Sequence, residues 1–312
     1  MSALICGSVA FDTIMVFQDR FKHHILPDQV HILNVSFLVP ELRREFGGCA
    51  GNIAYGLKLL GGEGRPMATV GTDFGPYAEW MDRHAIERTY IRVLDDAYTA
   101  QAYITTDQDD NQITAFHPGA MSRAHENRAS DAPGVTLGMV SPDGRQGMLE
   151  HAAQFAEQGV PFIFDPGQGM PLFDGNELNR FAAQARWLAF NDYEARLMQE
   201  RTGKSLEQLA REVDAVIVTR GGEGSTIVTR LATYDIPAAP ADRLVDPTGC
   251  GDAYRAGLIY GLQNGLDWPM TGRVAALMGA IKIEHAGTQN HAFTRDQFAD
   301  RFRAAFGMPL GL

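Results

Sequence analysis

Residues 246–258 read DPTGCGDAYRAGL, and this stretch decides both the fold and the chemistry expected of the chain. Gly249 and Gly251 allow a sharp turn and a close approach of the backbone to a ligand. The helical pattern over residues 252–264 directs free N–H groups and the positive end of its dipole at that turn. The turn therefore predicts a phosphate site, where Asp252 could take a proton from an attacking hydroxyl. Aspartate is also a favoured helix N-cap, so the residues alone leave a capping role open.

A second glycine-rich turn lies at residues 46–54, FGGCAGNIA. Gly47 and Gly48 precede an amphipathic helical pattern, and Asn52 falls in its first turn. The Asn52 amide can either hydrogen-bond a ligand hydroxyl or cap the helix, and both interpretations stay open.

Two further features follow predicted strands. Asn191 and Glu194 come directly after residues 187–190 and share one helix face. At the carboxyl end of a strand they would face a ligand crevice, where they could orient a hydrated Mg²⁺ or form a capping box. Residues 219–224, TRGGEG, are a turn after a buried strand, and hairpin geometry can explain that turn without a function.

Charge and composition exclude several classes of protein. The 312 residues include 27 Lys and Arg against 38 Asp and Glu, a net charge of −11. This balance argues against binding to nucleic acid or to an anionic membrane, both of which need clustered cations. The three cysteines form no CxxC pair, and the chain shows neither a signal peptide nor an 18-residue apolar run. We therefore expect a cytoplasmic protein with reduced thiols.

The hydrophobic pattern predicts an α/β fold with a mostly parallel central sheet. Short apolar runs alternate with helical patterns such as 51–60, 148–158 and 192–201. A hairpin joins residues 215–219 to residues 225–229, so the sheet is expected to end antiparallel. The predicted strands are residues 4–7, 67–70, 137–140, 162–165, 187–190 and 215–219.

Two stretches, residues 11–46 and 97–118, interrupt the alternation and are rich in β-branched and aromatic residues. They predict extra strands that form a small lid on a single domain spanning residues 1–312. Exposed edges of the lid strands would allow two copies of the chain to pair as a homodimer.

Taken together and in order, these features resemble the PfkB or ribokinase-like family of ATP-dependent kinases, from residue 4 to about residue 290. The motifs that carry the resemblance are Gly47-Gly48 with Asn52, Asn191-x-x-Glu194, Thr219-x-Gly221-x-x-Gly224, and Asp246-x-Thr248-Gly249-x-Gly251-Asp252. The resemblance implies a ribokinase-like three-layer sandwich and a phosphotransferase that uses ATP and Mg²⁺.

The resemblance also implies roles for the matching residues. Asp252 would be the general base, and the N–H groups of Gly249, Cys250 and Gly251 would stabilise the transferring phosphoryl group. Asn191 and Glu194 would organise phosphate and Mg²⁺, largely through water. The other implied roles are ATP binding by Thr219, Gly221 and Gly224, ribose binding by Asp12, Gly48 and Asn52, substrate binding by Gly47, and binding of a monovalent cation such as K⁺ by Asp246 and Thr248.

Within the family, the chain looks most like bacterial nucleoside kinases of the adenosine-kinase type. The basis is the stretch 36–40, SFLVP, together with Gln112 and Phe116. Aromatic lid residues such as Phe37 and Phe116 could stack on a purine or could simply form the lid core. Ser36, Gln112, Phe116 and Gln168 are therefore candidate substrate contacts. Cys250 stands where alanine is usual in the family, and Pro247 removes a backbone donor from the cation loop.

Three functions remain open on the sequence. The leading hypothesis is an ATP-dependent kinase that phosphorylates the 5′-hydroxyl of a purine nucleoside, such as adenosine, inosine or guanosine. The alternatives are a ribokinase-like sugar kinase and a non-catalytic sensor of nucleosides or nucleotides. The intact Asp252 argues against the sensor, because a sensor would be free to lose the base.

Overall fold

The centre of the molecule is a nine-stranded sheet. The computed structural model describes residues 2–25, 34–109 and 111–310. From β11 to β5 all neighbouring strands run parallel, and β12 and β13 are antiparallel, as the predicted hairpin requires. In spatial order the strands are β13 (Thr233–Ile236), β12 (Ser225–Val228), β11 (Ala215–Thr219), β10 (Trp187–Asn191), β9 (Phe162–Phe164), β8 (Val135–Val140), β1 (Ser2–Cys6), β4 (Glu63–Val70) and β5 (Ile91–Val93).

Helices cover both faces of this sheet, which gives the three layers that the alternating pattern predicts. On one face the core is formed with α1 (Cys49–Leu59), α2 (Gly75–Arg83), α7 (Cys250–Gln263), α8 (Trp268–Ile283) and α9 (Arg295–Phe306). On the other face it is formed with α3 (Arg145–Glu157), α4 (Gly175–Gln184), α5 (Asp192–Thr202) and α6 (Leu206–Leu209). None of the helices in the described ranges is both long and apolar enough to cross a membrane.

Strand β1 shows why the sheet lies between two cores. Ala3 and Ile5 pack into the first core, whereas Leu4 and Cys6 pack into the second. Successive side chains of a strand point to opposite faces, so a strand covered on both sides must be apolar throughout. All five residues of β1 are buried accordingly.

A second, four-stranded sheet forms the lid. Its order is β3 (Glu41–Gly47), β2 (Ala10–Val16), β6 (Ala100–Thr106) and β7 (Gln112–His117). The β2–β6 pair is parallel and the other two pairs are antiparallel. These strands lie within the two predicted lid stretches, except that β2 begins one residue earlier, at Ala10, and β3 ends one residue later, at Gly47.

The six predicted strands of the large sheet are all present, but β5 and β13 are additional. Both are short edge strands, and β13 alternates exposed Thr233 and Asp235 with Tyr234 and buried Ile236. Such short segments carry too little apolar sequence to stand out from a loop.

The strand order places one edge of the large sheet where ligands bind. After β1 the chain adds β4 and β5 on one side of that strand and then β8 and β9 on the other, so the strand order reverses between β1 and β8. The parallel strands on both sides have their carboxyl ends at the same edge of the sheet. Open α/β sheets bind ligands outside the carboxyl ends of their strands at such a switch point. Polar residues lie at the ends of these strands or within three residues after them: Ser8, Asp143, Asp165, Asn191 and Thr219.

Candidate active site

Helix α7 begins in the glycine turn that contains Gly249 and Gly251. Its N-cap is Gly249, with φ +78°, and a Cβ there would lie 3.0 Å from Thr288 Cγ2. A residue with a side chain would therefore be strained at this position. An added Cβ at Gly251 would meet no atom within 4 Å, so the first turn of the helix faces open space. This leaves room for an anion at the helix start.

Asp252 lies in the first turn of α7 and does not cap it. No side chain makes a cap hydrogen bond there, because the N-cap is a glycine. Instead Asp252 Oδ2 accepts a hydrogen bond of 2.8 Å from Asn52 Nδ2. The capping interpretation is also wrong for Asn52, since the N-cap of α1 is Gly48.

A chain of hydrogen bonds fixes the orientation of the Asn52 amide. Trp80 Nε1 can only donate, and it donates to Gln289 Oε1 at 2.9 Å. The Gln289 Nε2 group then donates to Asn52 Oδ1 at 2.9 Å. The amide nitrogen of Asn52 is thereby left to face Asp252, so the network presents a donor to the carboxylate.

The electrostatics around Asp252 suit a general base. Burial raises the pKa of Asp252 to about 6, while the hydrogen bond from Asn52 opposes the shift. The charge of Asp165 adds to the increase and that of Arg255 opposes it. A carboxylate in this range is ionised at neutral pH and is more basic than an exposed aspartate.

Asp12 lies against the second glycine turn. The Asp12 carboxylate occupies the space beside Gly47, where an added Cβ would be 2.5 Å from Oδ2. Gly48 has φ +86°, and a Cβ there would lie 2.6 Å from Ala10 N and from Ser8 O. Burial, with repulsion from Glu45 and Asp246, raises the pKa of Asp12 to about 6.

Tyr77 connects this second turn to the base. Its hydroxyl donates to Gly47 O at 2.8 Å and accepts from Gln289 Nε2 at 2.6 Å. The same Gln289 side chain holds Asn52, so the turn and Asp252 belong to one hydrogen-bonded unit.

The predicted phosphate and metal residues lie at the ends of β10 and β11. Asn191 and Glu194 form a full capping box at the start of α5: Glu194 N donates to Asn191 Oδ1, and Asn191 N donates to Glu194 Oε2, both at 2.8 Å. The capping interpretation is correct here. Burial raises the pKa of Glu194, and the charge of Asp165 raises it further.

Thr219 is the register partner of Asn191 across the β10–β11 pair, so both lie at one edge of the sheet. Gly221 and Gly224 lie in the turn that closes the β11–β12 hairpin. Gly224 has φ +87°, and a Cβ there would lie 2.1 Å from Ile236 O of β13, so the backbone and the neighbouring strand account for this glycine.

Asp246 and Thr248 form the loop just before α7. The Asp246 carboxylate accepts from Thr248 N and Gly287 N, both at 2.9 Å. Burial alone would raise the pKa of Asp246, but these two backbone donors, the Thr248 side chain and the charge of Lys282 together lower it.

The predicted lid contacts are spread over several places. Phe116 is 51% exposed and lines an open cavity of about 710 Å³ together with Arg44, Tyr98 and Tyr103. Phe37 is core of the lid, because its ring packs against the rings of Phe17 and Phe21. Ser36, Gln112 and Gln168 are exposed.

Three features are brought together: the N-terminus of α7, a carboxylate held at that N-terminus, and polar groups at the carboxyl ends of parallel strands. The family model for pfkB family carbohydrate kinases matches residues 8–295. The chain belongs to the PfkB family of carbohydrate kinases.

Solved structures of PfkB relatives agree with this assignment. The nucleoside kinase of Burkholderia thailandensis in complex with inosine is 55% identical, with a TM-score of 0.91 and coverage of 99% of both chains. The same enzyme in complex with ADP-inosine is 57% identical, with a TM-score of 0.88 over 99% of this chain and 97% of that one.

A more distant relative is the nucleoside kinase of Methanocaldococcus jannaschii, an archaeal member of the ribokinase family. It is 28% identical, with a TM-score of 0.88 over 97% of this chain and 99% of that one. The predicted ribokinase-like fold is thereby confirmed.

Proposed function

We propose that this protein is an ATP-dependent kinase that phosphorylates the 5′-hydroxyl of a purine nucleoside. The observation that carries the proposal is the Asp252 carboxylate, held by Asn52 at the N-terminus of α7. The similarity to a nucleoside kinase solved with inosine and with ADP-inosine supports the purine nucleoside as acceptor.

The residues of α7 supply the base and the anion site. Asp252 takes the proton of the acceptor hydroxyl as the hydroxyl oxygen attacks the γ-phosphorus of ATP. The bond from that phosphorus to the β–γ bridging oxygen breaks, and ADP leaves. The backbone N–H groups of Gly249, Cys250 and Gly251, with the dipole of α7, stabilise the charge that develops on the transferring group. Such a transfer depends on positioning and electrostatics rather than on a covalent intermediate.

Glu194 is suited to holding Mg²⁺ through water. Within the described residues no group of three or more acidic, histidine or cysteine side chains is placed to hold a metal. Mg²⁺ needs no such cage, because it keeps several waters and binds one or two carboxylates together with substrate phosphates. Burial raises the pKa of Glu194 and the charge of Asp165 raises it further, and a nearby cation would oppose both effects. Bound Mg²⁺ would neutralise phosphate charge.

The remaining predicted residues divide between the two substrates. Asn191, Thr219, Gly221 and Gly224 would lie along ATP at the ends of β10 and β11. Asp12, Gly48 and Asn52 would hold the ribose hydroxyls, and Gly47 would lie beside the same substrate. Phe116 lines the lid cavity and would contact the base, and the other proposed contacts of the nucleoside are Ser36, Gln112 and Gln168.

Several wider expectations accompany this function. We propose a single domain over residues 1–312 that works in the cytoplasm and binds small molecules rather than nucleic acid or membranes. Pairing of two copies through the lid stays a prediction, which the molar mass in solution would test. The lid edges β3 and β7 are largely exposed and carry exposed Leu42 and Ile113.

A coupled assay of ADP release tests the proposed function. We expect ADP formation with inosine, adenosine or guanosine in the presence of ATP and Mg²⁺, and little with ribose or fructose. Turnover of the sugars alone would instead identify a sugar kinase. Binding of nucleoside by calorimetry without ADP from any acceptor would identify a sensor.

The acid limb of the pH profile is expected near pH 6. Asp252 accepts a proton only as a carboxylate, so its activity is lost as the pH falls through its pKa of about 6. Asp12 has a pKa of about 6 as well and would hold a hydroxyl best when ionised. We therefore expect log(kcat/KM), which reports the free enzyme, to fall below about pH 6 with a slope steeper than one.

The Asp12→Asn variant is the matched control for this profile. It removes the titration of Asp12 and leaves that of Asp252. The slope of log(kcat/KM) against pH should therefore fall to one, while the decrease still occurs near pH 6. A flat profile down to pH 5 in the wild type would contradict the assignment of Asp252 as the base.

A further inference from the structure

Lys282 is a buried cation beside the loop that precedes α7. It lies near the C-terminus of α8, and its side chain is fully buried, with 0% exposure. Its Nζ donates to Asp246 O at 2.7 Å and to His285 O at 3.2 Å. A buried ammonium is costly unless it is hydrogen-bonded, so these carbonyls are its compensation.

Asp246 O lies in the loop before α7 and His285 O in the segment after α8, and further hydrogen bonds join this loop to the end of α8 and to that segment. Val245 N and Asp246 N both donate to Ile283 O, at 2.9 and 3.1 Å. The Asp246 carboxylate accepts from Gly287 N at 2.9 Å. Lys282 therefore lies where the loop before α7 meets the segment that follows α8, and it fixes one to the other.

The charged and titratable groups around Lys282 are mostly negative. Burial lowers the pKa of Lys282, and the charges of Asp246 and Asp252 oppose this decrease, whereas the charge of Arg43 adds to it. The ammonium is thus hydrogen-bonded to the loop that leads into α7, and it lies near the carboxylates of Asp246 and Asp252. Its position favours negative charge at the N-terminus of α7.

The contacts of Lys282 involve a residue of the proposed monovalent cation site, which the family resemblance places at Asp246 and Thr248. A potassium ion and an ammonium group are similar in size, and both bind carbonyl oxygens. The Asp246 carbonyl already accepts from the Lys282 ammonium. A potassium ion at that carbonyl would lie against a fixed positive charge, so the residues present do not fit a bound K⁺.

We propose that Lys282 is a built-in cation that replaces the monovalent ion and positions the anion turn at residues 246–249. The inference rests on the proposed kinase function and adds a positioning residue to it. The wild-type enzyme then works without K⁺, and the loss of the ammonium creates a requirement for a small cation.

The wild-type enzyme gives the first test. ADP release is measured in KCl, NaCl and tetramethylammonium chloride at one ionic strength, with K⁺-free ATP. We expect the same kcat in all three salts. A wild-type enzyme that is several-fold more active in KCl than in tetramethylammonium chloride would overturn the proposal.

Lys282→Met gives the second test, because methionine keeps much of the length of the side chain and removes its charge. We expect kcat to fall by about 10- to 100-fold in tetramethylammonium chloride, since a misplaced catalytic turn costs that much. Ammonium or potassium ions should restore several-fold of this loss. The matched control is Lys58→Met, which removes an exposed lysine of α1 and should leave kcat and its salt response unchanged.

Thermal unfolding supplies a readout that does not depend on activity. K⁺ should raise the Tm of Lys282→Met relative to tetramethylammonium and leave that of the wild type unchanged. Normal kcat of the variant without K⁺, or a K⁺-dependent Tm in the wild type, would overturn the proposal. If the variant does not fold, the wild-type salt series decides. Absence of ADP with every acceptor would refute the kinase function instead, and the wild-type and variant Tm values would still test Lys282.

Discussion

Replacement of Asp252 with asparagine is expected to lower kcat by about 10²- to 10⁴-fold, the usual contribution of a general base. Asparagine has nearly the same shape but cannot take the proton of the acceptor hydroxyl. The N-terminus of α7 keeps its backbone donors, because its N-cap is Gly249. ATP should therefore still bind, with a Kd close to that of the wild type by calorimetry.

A matched control separates loss of the base from loss of a negative charge at a helix start. Asp296 is an exposed aspartate in the first turn of α9, so Asp296→Asn removes the same kind of charge from a helix that supplies no proposed site residue. Its kcat should equal that of the wild type. If Asp252→Asn kept kcat within about tenfold of the wild type, Asp252 would not be the base.

The sequence predicts those parts of the site that depend only on residues close together in the chain, such as glycine turns, helix caps and strand ends. Gly48 and Gly249 stand just before helical patterns, where a turn with positive φ favours glycine, and both have positive φ in the structure. The spacing of Asn191 and Glu194 allows a capping box, which the structure contains. The carboxyl ends of the parallel strands follow from the alternation of apolar runs with helical patterns.

The contacts that the sequence could not predict join residues far apart in the chain. Gln289 orients Asn52 across 237 positions, and Lys282 reaches Asp246 across 36. Such pairs exist only once α1, α7 and α8 are packed together. Spacing within one helix also cannot decide whether Asp252 or Gly249 is the N-cap, because both residue types suit a cap.

Arg255 is a residue that the sequence could have singled out, but its partner could not be predicted. It stands three residues after Asp252 in an otherwise apolar helix, so the sequence could have singled it out as a buried charge on the same face. Its partner Asp165 is 90 positions away. Arg255 donates to Asp165 through Nε at 3.0 Å and through Nη2 at 3.3 Å, and the two side chains are only 5% and 7% exposed.

Arg255→Met is expected to destabilise the fold by about 3 to 5 kcal/mol, because it leaves Asp165 as an uncompensated buried charge. For a chain of this length the expected loss corresponds to a Tm lower by roughly 5 to 8 °C. Arg255 also opposes the increase in the pKa of Asp252, so the acid limb of kcat/KM should move to higher pH in the variant. Thermal or urea unfolding and the pH profile measure the two effects.

The matched control is Arg186→Met, which breaks an ion pair with Asp214 whose side chains are 55% and 51% exposed. An exposed pair is screened by water, so we expect a change of no more than about 1 kcal/mol there. The double variant Arg255→Met with Asp165→Asn removes both buried charges and should lose less stability than the two single changes summed. A Tm of Arg255→Met equal to that of Arg186→Met would show that the buried pair does not stabilise the site, since removal of either arginine would then cost the same.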